Sequence, residues 1–144
     1  VLESNDFKQY EVSSWSKAGF ESKHNVNYWQ FGDFLGVGPG AHSKITLDDE
    51  ISRFRKIKPL NGYIKKQTMT ERNIIQGDEL DMDLAMNLLR IKNGISQDQI
   101  STLLPESFWN KYEVGVSEGL LLKNKVGATD YGYKYLNDTI KLFF

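Results

Sequence analysis

The chain has no cysteine. That excludes disulfides and thiolate-held metals within these residues, and it fits a reducing compartment, so a cytoplasmic protein is expected. It has no run of about 20 apolar residues, so no transmembrane helix is expected. Its first residues lack the basic-then-apolar pattern of a signal peptide. It lacks a strong charge of either sign: 18 basic and 19 acidic residues leave a net charge of -1, no general address for nucleic acid or an anionic membrane. It has no internal repeat and no low-complexity tract. What is there is ordinary globular composition, 40% hydrophobic and 26% charged over 144 residues, enough for one domain or two small ones. The chain starts at Val1 and enters a strand-like run within ten residues, as expected of a piece of a longer protein.

The densest chemistry lies between Tyr10 and Ser43. This stretch holds both histidines, two of the three tryptophans and a glycine-rich loop. Leu2 to Tyr10 reads as a helix tail leading into a strand. Tyr10 to Ser16 alternates apolar and polar residues and predicts one short strand, broken at Lys17-Ala18-Gly19. Asn25 to Gln30 reads either as a helical turn or as an extended loop. Asp33 to Val37 predicts a strand, Gly36 to Gly40 a sharp turn, and Ala41 to Leu47 a further strand. Between Lys44 and Arg72 eight basic residues face four acidic ones, and Pro59 and Gly62 break the pattern. A solvated connector accounts for this; so does a rim attracting carboxylates or phosphates.

From Thr70 the periodicity becomes 3.6. Leu80, Leu84, Leu88 and Ile91 form one stripe, closed by Gly94 as a left-handed cap. Ser96 and Gln99 predict a capping box opening a second helix. Pro105 opens a third, with Phe108, Tyr112 and Val116 on one face and Gly119 as its cap. Leu120 to Val126 predicts a hairpin turning at Lys123-Asn124-Lys125. Thr129 caps a last helix striped by Tyr133, Leu136, Ile140 and Phe143. Three helices, a small hairpin and a helix make a winged-helix-like order.

Two apparent motifs fail on their chemistry. Gly36-Val37-Gly38-Pro39-Gly40-Ala41 fits the dinucleotide fingerprint formally. A strand follows it where a helix amino terminus is needed, and Pro39 removes a phosphate-facing N–H. The third helix would read DNA in a winged helix, yet Lys111 is its only base against Glu106, Glu113 and Glu118; nucleic acid is not expected as a partner. His24 and His42 lack the carboxylate or cysteine neighbours of a zinc site. Each is either a structural histidine held by hydrogen bonds, or an axial ligand or donor to a ligand's carboxylate.

Tyr10-Glu11-Val12-Ser13, Lys17 to Lys23, His24-Asn25-Val26-Asn27-Tyr28-Trp29 and Gly32 to Ser43 resemble, in order and spacing, the carboxyl-terminal part of the oxygen-independent coproporphyrinogen III oxidase-like family. These are radical S-adenosylmethionine proteins of porphyrin metabolism. The helical remainder resembles the family's small last domain more weakly. Ala18 replaces a usual proline, Lys23 a usual arginine and Trp15 a usual phenylalanine or tyrosine. The resemblance implies an α+β chain: over residues 1–70 the last strands of a partial (β/α) barrel, and over 71–144 a winged-helix-like domain.

The family's amino-terminal half carries CxxxCxxC, which holds a 4Fe-4S cluster that cleaves S-adenosylmethionine. That motif is absent here, so this piece alone should hold no cofactor of that kind and be inactive. One branch oxidatively decarboxylates coproporphyrinogen III propionates to vinyl groups. The other binds heme and delivers it to recipient proteins, and HNxxYW is typical of it. Accordingly, the implied cofactor-binding residues are His24, Tyr28, Trp29, Gly36, Val37 and Gly38, with His24 as heme-iron ligand. Implied partners are heme or porphyrin, the radical S-adenosylmethionine half and heme recipients. A ligand-free interaction module, with Trp109 on its surface, is the third reading. Strand edges cut from a barrel would favour self-association.

Overall fold

In a computed structural model the chain is α+β; the structure describes residues 1–66 and 69–144, with backbone alone at 66, 69 and 70. It divides into two compact units, one formed by 1–31 with 77–144 and the other by 32–76.

In the first unit, a 3-10 turn at Glu3–Asn5 precedes β1 (Lys8–Glu11). The single strand expected over Tyr10 to Ser16 is instead an antiparallel hairpin of β1 with β2 (Ser14–Ser16). The chain turns at Val12-Ser13, and a bulge displaces the register between Gln9 and Glu11. The alternation of apolar and polar residues there came from two strands sharing a turn. Glu11 bridges Ile91, and the Lys92 N–H donates to the Tyr10 carbonyl, so distant sequence meets here.

The helix α1 spans Lys23–Trp29 and settles the choice left open for that segment. Ser22 caps it, its hydroxyl accepting from the Asn25 N–H at 3.3 Å. α3 (Asp78–Leu88) and α5 (Glu106–Ser117) form the core. Leu84, Ala85 and Leu88, with Leu89 beyond the helix end, pack against Phe108, Tyr112, Ile140 and Phe143, all buried. Phe108 lies 4.8 Å from the Phe143 ring centroid. Within this core Asp81 is fully buried, its carboxylate 3.0 Å from Lys111 Nζ and accepting from Ser107 Oγ at 3.0 Å. A buried carboxylate needs such partners, because desolvation penalises an unpaired charge by several kcal/mol.

The helix ends differ in how they follow the sequence. α3 begins at Asp78, not Thr70, because residues 69–75 are a strand. It ends at Leu88; Gly94, in a left-handed conformation, belongs to the later turn into β6 (Ile95–Ser96). Ser96 does precede α4 (Gln97–Ile100), but its side chain makes no capping bond. At α5 the expected ending is present. The Gly119 N–H donates to Val116 and the Leu120 N–H to Gly115, with Gly119 at φ 74°, a Schellman motif.

The expected hairpin over Leu120 to Val126 is only partly formed. Leu121 bridges Ala128, but β7 (Lys125–Val126) pairs with β6. The last helix is broken at Tyr135 into α6 (Asp130–Lys134) and α7 (Leu136–Ile140), followed by a 3-10 turn at Lys141–Phe143. Thr129 caps α6 by accepting from the Gly132 N–H.

The second unit is a three-stranded antiparallel sheet, β3 (His42–Leu47), β4 (Glu50–Lys56) and β5 (Met69–Ile75), with α2 (Leu60–Lys66) between the last two strands. β4 and β5 lie where a solvated connector was one expectation; residues 67–68 of that segment lie outside the described residues. Asp48 and Asp49 both have positive φ, 47° and 65°, and make the two-residue turn joining β3 to β4. The segment's charges are partly spent across the sheet. Arg72 pairs with Glu50 and donates to Ser52 Oγ at 3.1 Å, and Arg55 lies 3.7 Å from Glu71. The strand expected over Asp33 to Val37 reduces to a single bridge between Phe34 and Lys44.

Candidate functional site

Of the six site residues expected from the sequence, the structure brings three together. His24, Tyr28 and Trp29 share α1 in the first unit. Gly36, Val37 and Gly38 lie in a loop of the second unit.

On α1 the four-residue spacing puts His24 and Tyr28 on one face. Their rings meet edge to face, 4.9 Å between centroids at 69°. His24 is exposed, and neither imidazole nitrogen hydrogen-bonds within the described residues. Tyr28 and Trp29 are half-buried. Trp29 lies under the Arg90 guanidinium, whose carbon is 4.6 Å from the ring centroid. The Trp29 indole nitrogen and Arg90 Nε are both buried without a hydrogen-bond partner. Asn25 ties the helix to β1 through Tyr10 Oη at 3.3 Å.

The helix stops on a residue that sequence reasoning missed. Phe31 is 4% exposed and has φ 60°, a left-handed conformation ordinarily taken by glycine. Its neighbour Gly32 would accept that geometry without strain, yet burial of the aromatic ring holds Phe31 there. The strain is of order 1–3 kcal/mol, and burying a phenylalanine offsets it.

The glycine loop is shaped by the backbone. A Cβ on Gly36 would stand 2.1 Å from the His42 carbonyl oxygen, so only glycine fits. The Gly36 N–H donates to the buried Ser43 hydroxyl at 2.9 Å. Gly38 has φ 105° with open space around it, and Val37 is 86% exposed. Beside this loop, Lys44 is buried and reaches Asp33 at 2.8 Å. Burial works to raise the Asp33 carboxyl, but hydrogen bonds from Lys44 and from the Thr46 N–H and hydroxyl outweigh it and hold it below its ordinary value.

No cluster of three or more metal-ligating side chains exists among the described residues. With no cysteine in the chain, an iron–sulfur cluster held by thiolates does not fit these residues. A single imidazole ligand would fit: His24 offers an exposed ring with neither nitrogen hydrogen-bonded among the described residues. No helix among the described residues is long and apolar enough to cross a membrane.

Comparison with known proteins decides the kinship. The chain is 32% identical over 143 residues to the heme chaperone HemW of Haemophilus influenzae, covering 95% of this chain and 37% of that protein. The chain is similar to HemW heme chaperones over nearly its whole length. It is also 52% identical over 140 residues to the mitochondrial radical S-adenosyl methionine domain-containing protein 1 of Mus musculus, covering 85% of this chain and 31% of that protein. The Escherichia coli heme chaperone HemW is 27% identical over 99% of this chain and 39% of its own length. The chain therefore spans well under half the length of these relatives. No family model and no solved structure matches it. The two bacterial relatives are named as heme chaperones, and neither the oxidase reading nor the ligand-free interaction module finds support among the relatives.

Proposed function

We propose that the chain is the carboxyl-terminal part of a heme chaperone, in which His24 would hold the heme iron. The observation that carries this reading is the uncommitted, exposed imidazole of His24 beside the Tyr28 ring. When bound, heme supplies an iron that accepts a nitrogen ligand. His24 offers that nitrogen. Tyr28 limits the imidazole's rotation, and Trp29, clamped by Arg90, fixes the helix behind it. The backbone at Gly38, with open space where a side chain would stand, is a surface to which a planar ligand has close access beside Gly36 and Val37.

In this reading residues 1–70 close a partial barrel and 71–144 form a winged-helix-like domain of the parent. The 4Fe-4S cluster and S-adenosylmethionine belong to the parent's amino-terminal half, and its partners are heme and heme-recipient proteins. We place it in the cytoplasm; the mouse relative's mitochondrial name marks the other compartment, and cell fractionation distinguishes them. Unpaired strand edges would drive self-association, which light scattering across a concentration series tests.

The decisive experiment titrates hemin into the full-length protein and follows the Soret band. Wild type and His42→Ala are expected to show the same ligand-induced shift, and His24→Ala to lose it. An unchanged shift in His24→Ala would remove His24 from the ligand role.

A further inference from the structure

A pocket in the first unit lies apart from His24 and has chemistry of its own. It has a volume of about 520 Å³ and is lined by Val12, Arg90, Tyr133, Tyr135 and Ile140, with Lys134 and Asp138 at its charged side. That is within the range of small-molecule sites, roughly 300–1,000 Å³. Its walls combine apolar and aromatic surface with polar groups, the usual make-up of a ligand site.

The charges around it are unbalanced. Arg90 makes no ion pair among the described residues, and its Nε is buried with no hydrogen-bond partner. Its carbonyl accepts from Tyr133 Oη at 3.1 Å, and its guanidinium is held over the Trp29 ring with no carboxylate paired to it among the described residues. Lys134 also makes no ion pair and rests against the Tyr135 ring, 5.6 Å from its centroid. Asp138 does not neutralise them, because Lys141 takes it at 2.7 Å. Glu11, fully buried nearby, receives hydrogen bonds from Ser13 and contributes the remaining negative charge. Lys92 lies 4.4 Å from the Tyr133 ring centroid but is neutralised by Asp130 at 2.8 Å, so four cations stand against three carboxylates around a pocket with two aromatic walls. A buried guanidinium nitrogen without an acceptor is costly, and a bound anion removes that cost.

We propose that this pocket binds a small carboxylate-bearing ligand, its anionic end held by Arg90 and Lys134 and its body against Tyr133 and Tyr135. The site goes beyond the heme reading, since it uses neither His24 nor the glycine loop. Arginine suits the carboxylate end, because its planar fork matches a carboxylate, and here the guanidinium is held in place over the Trp29 ring. The tyrosine rings supply apolar contact for the body.

The test titrates benzoate, benzamide and inorganic phosphate separately into the full chain and reads NMR shifts of the Tyr133 and Tyr135 rings and of Arg90 Nε–H. Benzoate is expected to give saturable shifts at all three, with benzamide weaker by about tenfold or more for lack of charge. Lys134→Ala, an exposed change without ion-pair loss, should weaken benzoate about tenfold, and Arg90→Gln should abolish its shifts. His24→Ala should leave benzoate binding unchanged, which separates this site from the heme reading. The proposal is overturned by an absence of saturable shifts in wild type, by equal binding of benzamide, or by phosphate displacing benzoate as the tighter ligand. A Lys134→Ala variant that binds benzoate as wild type would also overturn it.

Discussion

Arg90 holds Trp29 by its face: the guanidinium carbon lies 4.6 Å from the indole centroid, joining the segment after α3 to the helix that carries His24. The contact is half-buried, where a cation over an indole contributes roughly 0.5–2 kcal/mol. Arg90→Met keeps the apolar stem and removes the charge. Thermal unfolding should register a loss of about 1 kcal/mol, with a change in Trp29 fluorescence as the ring loses its cover. An unchanged melting curve would mean that the stem alone carries the contact.

Tyr112 closes the loop between α5 and β7. Its hydroxyl accepts from the Gly127 N–H at 2.9 Å and has the Lys125 carbonyl at 2.7 Å, with those of Leu122 and Gly127 at 3.0 Å. Tyr112→Phe leaves these buried groups short of a partner and should cost about 1–3 kcal/mol in denaturant unfolding. Burial pushes the phenol up to about 12. Since the unfolded phenol titrates near 10, stability should hold below about pH 10 and fall between 10 and 12. Tyr133, raised to about 12 mainly by burial, adds to the same alkaline loss. Tyr112→Phe should make that limb shallower without abolishing it.

Asp33 and Lys44 govern the acid limb of the second unit. The Asp33 carboxyl is held below its ordinary value, so its contribution is present above about pH 4 and is lost as pH falls through the folded value. Asp33→Asn should lower stability at neutral pH, because the buried Lys44 loses the Asp33 carboxylate, and should flatten the acid limb below about pH 4. A wild-type acid limb in the variant would locate the acid sensitivity elsewhere.

Two glycines of one loop should respond for different reasons. Gly36→Ala forces a methyl to 2.1 Å from a carbonyl oxygen and must move β3 or the loop. Gly38→Ala meets no atom and suffers only its positive φ, a cost of roughly 1–2 kcal/mol. Denaturant unfolding of the two variants should rank Gly36→Ala as the more damaging. The reverse order would show that the loop yields easily at residue 36.

The helical half was legible because it is built on local rules. Pro105, Gly119 and Thr129 mark their helix ends in the structure much as capping chemistry requires. The α1 segment was half legible: Ser22 is a good cap, but seven residues carry too little periodicity to exclude a loop. What could not be read depended on distant partners. β4 and β5 present charged residues such as Arg53, Arg55, Glu71 and Arg72, which look like a solvated tract until the strands pair and set Arg55 across from Glu71. One signal was available: Leu47-Asp48-Asp49-Glu50, polar and short between two alternating runs, is a hairpin turn. At the site, the six residues were nameable from the motif, but the clamp from Arg90 was not, since 61 positions of chain separate it from Trp29. The left-handed Phe31 was hidden for a similar reason, as only burial explains why Gly32 does not take its place.

The pairing of Glu11 with Ile91 and of Tyr10 with Lys92 has a consequence for biosynthesis. The ribosome delivers the His24 helix early and its supports late. Until residues near 92 emerge, β1 has no partner beyond its own hairpin and Trp29 has no guanidinium above it. A nascent chain therefore displays the HNxxYW segment before it can be fixed in place. A polypeptide arrested upstream of Arg90 would carry every letter of the motif without the helix seat that gives those letters their geometry.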